Sequence, residues 1–145
     1  MPSVFKYNGN EIIDSSGKVT ATAMNSSGDA PVYGCRAWVN FDGTKDTSGA
    51  SSTANTNRLI RASGNVASVL RNGQGDYTIT FTTAMPDANY AATHMVAQAN
   101  ADAAGAGNVD WMIFYSQTKS ALRVTSGNGS SSAMDQFYVA IAIFR

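Results

Sequence analysis

The side chains best suited to nucleophilic catalysis in this chain are its one histidine, His94, and its one cysteine, Cys35. A thiol or a serine hydroxyl becomes a nucleophile when a neighbouring imidazole takes its proton. Both residues fall in the middle of predicted strands, whereas catalytic groups concentrate in loops and at strand ends. We therefore predict that His94 is a structural or interface residue and that the chain has no catalytic residue.

Metal and phosphate sites also lack their usual sequence patterns. Histidine, cysteine and carboxylate residues do not occur at metal-ligand spacing, so a site at His94 would need three copies of it around a trimer axis. Three G-x-G pairs occur, at residues 73–75, 105–107 and 127–129, but no third glycine or helix follows them. The sequence predicts no metal and no cofactor.

The acidic residues show no spacing typical of a glycosidase, which needs two carboxylates across a sugar. Several aspartates stand beside small or turn-forming residues, as in Asx turns. These are Asp42, Asp46, Asp87, Asp102 and Asp135. We predict that the protein is not an enzyme.

Composition restricts both the partners and the fold. Ten basic and ten acidic residues give no net charge, so nothing favours binding to nucleic acid. No run of eighteen apolar residues occurs, and we expect no membrane insertion. Alanine, serine, glycine, threonine and asparagine make up more than half of the chain, while the strong helix formers leucine, glutamate and lysine are scarce. This composition favours an all-β protein.

Short alternating segments separated by Gly/Ser/Asn loops predict an antiparallel β-sandwich of about seven to eight strands over residues 32–145. Residues 1–31 have too few apolar positions for a core and predict a short extended arm that needs a partner. Residues 43–57 predict a polar surface loop, and residues 65–83 predict a hairpin turning at Asn72 to Gly75. Two strands that are apolar on both faces, near residues 109–116 and 136–145, suggest that another subunit covers one sheet face.

The order of five motifs resembles a recurrent module of tail-fibre and other fibre-like virion proteins of tailed bacteriophages, notably phages of marine bacteria and cyanobacteria. The resemblance extends from residue 35 to the C-terminus and is strongest up to residue 90. The motifs are A-W-V-N-F at 37–41, I-R-x-S-x-N-V at 60–66, N-G-x-G-D-Y-T at 72–78, the corner at 83–90 and the apolar strand at 139–144.

The resemblance implies a homotrimeric β-sandwich at the tip of a fibre or attached to the virion, with variable loops facing a glycan or protein of the host surface. It implies no enzyme. The family carries a long N-terminal shaft where this sequence has about 34 residues. We therefore expect residues 1–31 to dock the module on another virion protein, on the tail or capsid surface, after assembly in the host cytoplasm.

Two loops, near residues 99–108 and 126–135, are rich in small polar side chains that can hydrogen-bond to sugars. The receptor-binding residues we predict there are Asp102, Asn108, Asn128 and Asp135. Trp111 or Tyr115 would stack on a pyranose if exposed, although their alternation with apolar residues favours a place in the core.

The leading functional hypothesis is a tail-fibre or fibre-tip subunit that contributes to adsorption to the host surface. The alternative is a capsid decoration, head-fibre or adaptor protein with the same fold and no receptor contact. A capsule-degrading enzyme is the third class, and the lack of a carboxylate signature disfavours it.

Overall fold

The structure is a computed structural model, and it describes residues 4–19, 34–51, 53–97 and 110–145. Contacts divide the chain into two compact units, Met1–Gly34 and Cys35–Arg145. The predicted receptor-binding residues Asp102 and Asn108 lie outside the described residues.

The N-terminal unit contains an antiparallel hairpin. Strands β1 (Phe5–Tyr7) and β2 (Asn10–Ile13) pair with each other. Asn8 and Gly9 join them at φ of 51° and 81°, the left-handed backbone that a tight two-residue hairpin turn requires. The predicted arm is thus partly a hairpin rather than extended throughout, because the Asn-Gly pair turns the chain back on itself. Its role in attachment stays a prediction.

In the described part of the second unit there are eight antiparallel strands, which confirms the all-β prediction and the predicted number of strands. They are β3 (Cys35–Asp46), β4 (Thr56–Gly64), β5 (Val66–Gly73), β6 (Asp76–Phe81), β7 (Ala91–Ala97), β8 (Trp111–Gln117), β9 (Ala121–Gly127) and β10 (Tyr138–Phe144). Their order across the sheet is β7-β10-β3-β4-β5-β6-β9-β8.

The sheet folds over on itself at β4, which pairs with β3 on one side and with β5 on the other. Strands β7, β10, β3 and β4 form the first layer, and β5, β6, β9 and β8 form the second. The two edge strands approach each other, and the rings of His94 in β7 and Phe114 in β8 meet edge to face at 5.3 Å. The result is a β-sandwich that is nearly closed along one side.

Side chains that alternate along the strands fill the space between the layers, as expected for strands with one buried face. Phe41 of β3 meets Tyr77 of β6 edge to face, with ring centroids 5.1 Å apart. Ile79, Leu122 and Val139 are fully buried beside them. Residues of both layers therefore share one hydrophobic core.

The predicted loop at residues 43–57 is shorter than the sequence suggests. Strand β3 continues to Asp46, and β4 already begins at Thr56. Asp42 is buried, accepts a 2.8 Å bond from Arg61 Nη2 and also accepts from the backbone N–H of Thr44. These partners hold a polar segment in the sheet, where a pattern based on apolar alternation does not detect it.

Candidate functional site

Asn128 lies in the segment between β9 and β10, where it shapes a turn. Its backbone carbonyl accepts a 2.6 Å hydrogen bond from the indole N–H of Trp111, and its side-chain oxygen accepts from the N–H of Ser130. Trp111 is only partly exposed and packs against Gly127. The binding role of Asn128 stays a prediction, and the turn is what its described contacts support.

Asp135 is held by interior partners. Its carboxylate accepts two bonds from Arg71 Nε and one from Arg71 Nη2, at 2.9–3.1 Å. The hydroxyl of Tyr77 donates at 2.6 Å, and the backbone N–H of Gly75 donates at 2.9 Å. Burial alone would raise the pKa of Asp135, but Arg71, Tyr77 and Gly75 together lower it. Asp135 therefore joins its loop to the β5–β6 hairpin, and its predicted receptor contact stays a prediction.

Tyr115 lies on the outer surface, since 49% of it is exposed. The interpretation as a core residue is therefore wrong for this tyrosine. In the register of β8 against β9, Phe114 pairs with Val124 and Ser116 pairs with Arg123, so Tyr115 is the extra residue of a β-bulge. Bulges re-aim side chains and are frequent beside functional sites.

Tyr115 belongs to a polar group on the outer face of the second layer, which we call the Asp76 cluster: Asn72, Asp76, Thr78, Tyr115 and Arg123. Asp76 Oδ1 accepts bonds from Asn72 Nδ2, from the hydroxyl of Tyr115 and from Arg123 Nε, each at 3.0 Å. Arg123 Nη2 donates to Asp76 Oδ2 at 2.6 Å, and Asn72 Nδ2 also donates to Thr78 Oγ1 at 2.9 Å.

The Asp76 cluster contains one ionised carboxylate, Asp76, and one ionised guanidinium, Arg123, so its net charge is zero. The hydrogen bonds from Arg123 lower the pKa of Asp76, and bonds from Asn72 and Tyr115 act in the same direction. The guanidinium carbon of Arg123 lies 5.2 Å from the centroid of the Tyr115 ring, within the range of a cation–π contact. The polar side chains of the Asp76 cluster therefore hold one another in place without a ligand.

The sequence named only Tyr115, as a side chain that would stack on a pyranose if exposed. It did not identify the cluster, because the members come from four separate strands. The signals it offered were the charged Asp76 directly after the hairpin turn and the polar residues that follow Tyr115.

The outer face of the first layer carries large exposed apolar side chains beside a few polar ones such as Asn40 and Thr93. A groove of about 390 Å³ is lined by residues that include Trp38, Met95, Ala140 and Ala142. Met95 is 59% exposed and Trp38 is 43% exposed, and the indole of Trp38 rests against Gly64. We call this surface, together with the exposed Tyr138, the apolar face.

His94 and Cys35 are too far apart to act together. In the first layer, Ile141 of β10 pairs with His94 on one side and with Val39 of β3 on the other. Val39 is four residues along β3 from Cys35. Strand geometry then separates the backbones of His94 and Cys35 by about 13 Å along the strand and about 10 Å across the sheet. Among the residues that the structure describes, no three histidine, cysteine or carboxylate side chains lie close enough to hold a metal ion.

Stability should decrease when the pH falls below about 6.5. Partial burial lowers the pKa of His94 from its ordinary 6.5, so the folded chain prefers the neutral imidazole. As the pH falls through 6.5, the unfolded chain binds this proton first and the free energy of unfolding decreases. Urea unfolding at pH 7.5 and pH 5.5 measures the change. The His94→Gln variant should lose the change in this window, and a variant that retains it in full would contradict the assignment.

Comparison with protein-family models, with curated proteins and with solved structures finds no match for this chain. Within the described ranges, no helix has the length and apolar character needed to cross a membrane.

Proposed function

We propose that this chain is a non-enzymatic structural protein of a phage virion, a tail-fibre or fibre-tip subunit that contributes to adsorption to the host surface. The observation that carries the proposal is the exposure of large side chains at fixed positions on both outer faces of one sandwich. Tyr115 stands on the second layer, and Trp38, Met95 and Tyr138 stand on the first. Exposed aromatic side chains on rigid strands are suited to binding surfaces.

The two faces suit two different partners. The apolar face has small, uncharged residues at its centre, Ala140 and Ala142, which a second copy can approach closely. The charge beside Tyr138, on Arg61, is already paired with Asp42. We assign the apolar face to contacts within a homotrimer. The Asp76 cluster, which is polar and stiffened by its own hydrogen bonds, is then left to face the host. Residues 1–31 are assigned to docking on other virion proteins.

The arrangement of reactive groups favours binding over catalysis. His94 and Cys35 lie on strands that are separated by β10, and His94 packs against Phe114. The carboxylates of Asp76 and Asp135 are each engaged by an arginine, at 2.6 Å and 2.9 Å. A carboxylate held in this way is a poor general acid, because it stays ionised.

Electron microscopy of intact particles labelled with an antibody against this chain tests the proposal. We expect label at the tail, in a small number of projections that each hold three copies. Label over the whole capsid shell would instead support the alternative, a decoration protein without receptor contact. Particles that carry no label would overturn the virion assignment altogether.

A further inference from the structure

We propose that the Asp76 cluster and the neighbouring Ile113 form a binding site for a neutral saccharide, with a pyranose ring resting on Tyr115. The inference deepens the proposed function, on which it rests, by naming the ligand class and the residues of the surface that faces the host. None of these residues lies in the two loops that the sequence singled out.

The first argument is the apolar area beside the polar groups. Ile113 and Tyr115 are 55% and 49% exposed and lie two residues apart on the same face of β8. The guanidinium of Arg123 lies over one face of the Tyr115 ring and fixes its orientation, so a pyranose would rest on the opposite face. A pyranose has one face of C–H groups, which packs on an aromatic ring, while its hydroxyls project around the edge.

The second argument is the supply of hydrogen-bonding atoms at that edge. The cluster's internal bonds use Nε and Nη2 of Arg123 and the amide nitrogen of Asn72. Among the described residues, this leaves Nη1 of Arg123 as a donor and the amide oxygen of Asn72 as an acceptor for a ligand. Sugar hydroxyls both donate and accept, so they match this mixed set.

The third argument is preorganisation. Asp76 receives four hydrogen bonds from three side chains, so Arg123, Asn72 and Tyr115 are already held in place. Binding therefore costs little additional side-chain entropy. The charges of Asp76 and Arg123 cancel, which favours a neutral sugar over an anionic one.

NMR titration of the full-length chain with three probes tests the site: methyl α-glucopyranoside, methyl β-galactopyranoside and N-acetylglucosamine. We expect at least one probe to bind with a millimolar dissociation constant. This affinity is typical of a single exposed site that makes few contacts with its ligand. The amide signals that shift should belong to β6, β8 and β9.

The Tyr115→Ala variant should weaken that binding roughly two- to tenfold, the value of one aromatic contact. Tyr115→Phe should lose less, because it keeps the ring and removes only the bond to Asp76. Tyr138→Ala is the matched control, since Tyr138 is a similarly exposed tyrosine on the apolar face with an arginine over its ring. It should leave the affinity unchanged.

The proposal is overturned if none of the three probes shifts these signals, or if Tyr138→Ala weakens binding as much as Tyr115→Ala does. Either result would remove the saccharide site alone. Tail labelling in the electron micrographs would still support the adsorption function, so the two failures can be told apart.

Discussion

Replacing Asp135 with alanine should lower the free energy of unfolding by about 2–4 kcal/mol. The substitution removes the carboxylate that pairs with Arg71, a residue that is only 9% exposed. It also leaves the hydroxyl of Tyr77 and the N–H of Gly75 without their acceptor. Urea unfolding at pH 7, followed by tryptophan fluorescence, measures the loss.

Asp87→Ala is the control for this experiment, because Asp87 pairs with Arg145 at the surface, where both side chains are more than a third exposed. Solvent screens such an exposed pair, so it contributes much less than a buried one. Equal losses in the two variants would show that Asp135 does not anchor its loop. Because the pKa of Asp135 is lowered from 3.8 on folding, its contribution should be complete above that pH and disappear as the pH falls further.

Replacing Gly75 with alanine should destabilise the fold by at least about 3 kcal/mol. Gly75 has φ of 68°, a left-handed backbone that an alanine adopts only with strain. The added methyl group would also lie 2.3 Å from the carbonyl oxygen of Ser126 and 2.7 Å from the backbone nitrogen of Met134. Both are backbone atoms, so neither can move without shifting β9 or the following loop.

Gly73→Ala, in the same hairpin, is the matched control. A methyl group there meets no atom within 4 Å, and Gly73 does not have a positive φ. We expect a change of less than about 1 kcal/mol, compared by thermal unfolding of both variants. If the Gly75→Ala variant were as stable as the Gly73→Ala variant, this result would contradict the close packing of the hairpin turn on β9.

Local pattern accounts for most of what could be predicted. Apolar alternation predicts the strands β3, β6 and β10, and turn residues predict the connection between β5 and β6. Both signals depend only on neighbours in sequence, and these elements occur where expected. The extension of β3 to Asp46 was missed, because its stability comes from Arg61, nineteen residues away from Asp42. Strand ends fixed by distant partners leave no periodic signal.

The candidate site could not be predicted for the same reason. Asp135 stands in a Ser- and Gly-rich segment that suggests a solvated loop, yet its partner Arg71 is 64 residues away. Tyr115 lies in an apolar run, and the packing of Met112 and Phe114 toward the core leaves it, like Ile113, on the outer face. Both outcomes depend on pairing between strands that are distant in sequence.

The approach of β7 to β8 has a consequence for how the protein behaves at high local concentration. A free sheet edge offers unpaired backbone groups to the edge of another molecule, which is a common route to aggregation. Here the two edges turn toward each other, and His94 and Phe114 fill part of the space between them. Crowded copies are therefore less prone to pair through the backbones of these two edges, and contacts between side chains on their faces are favoured instead.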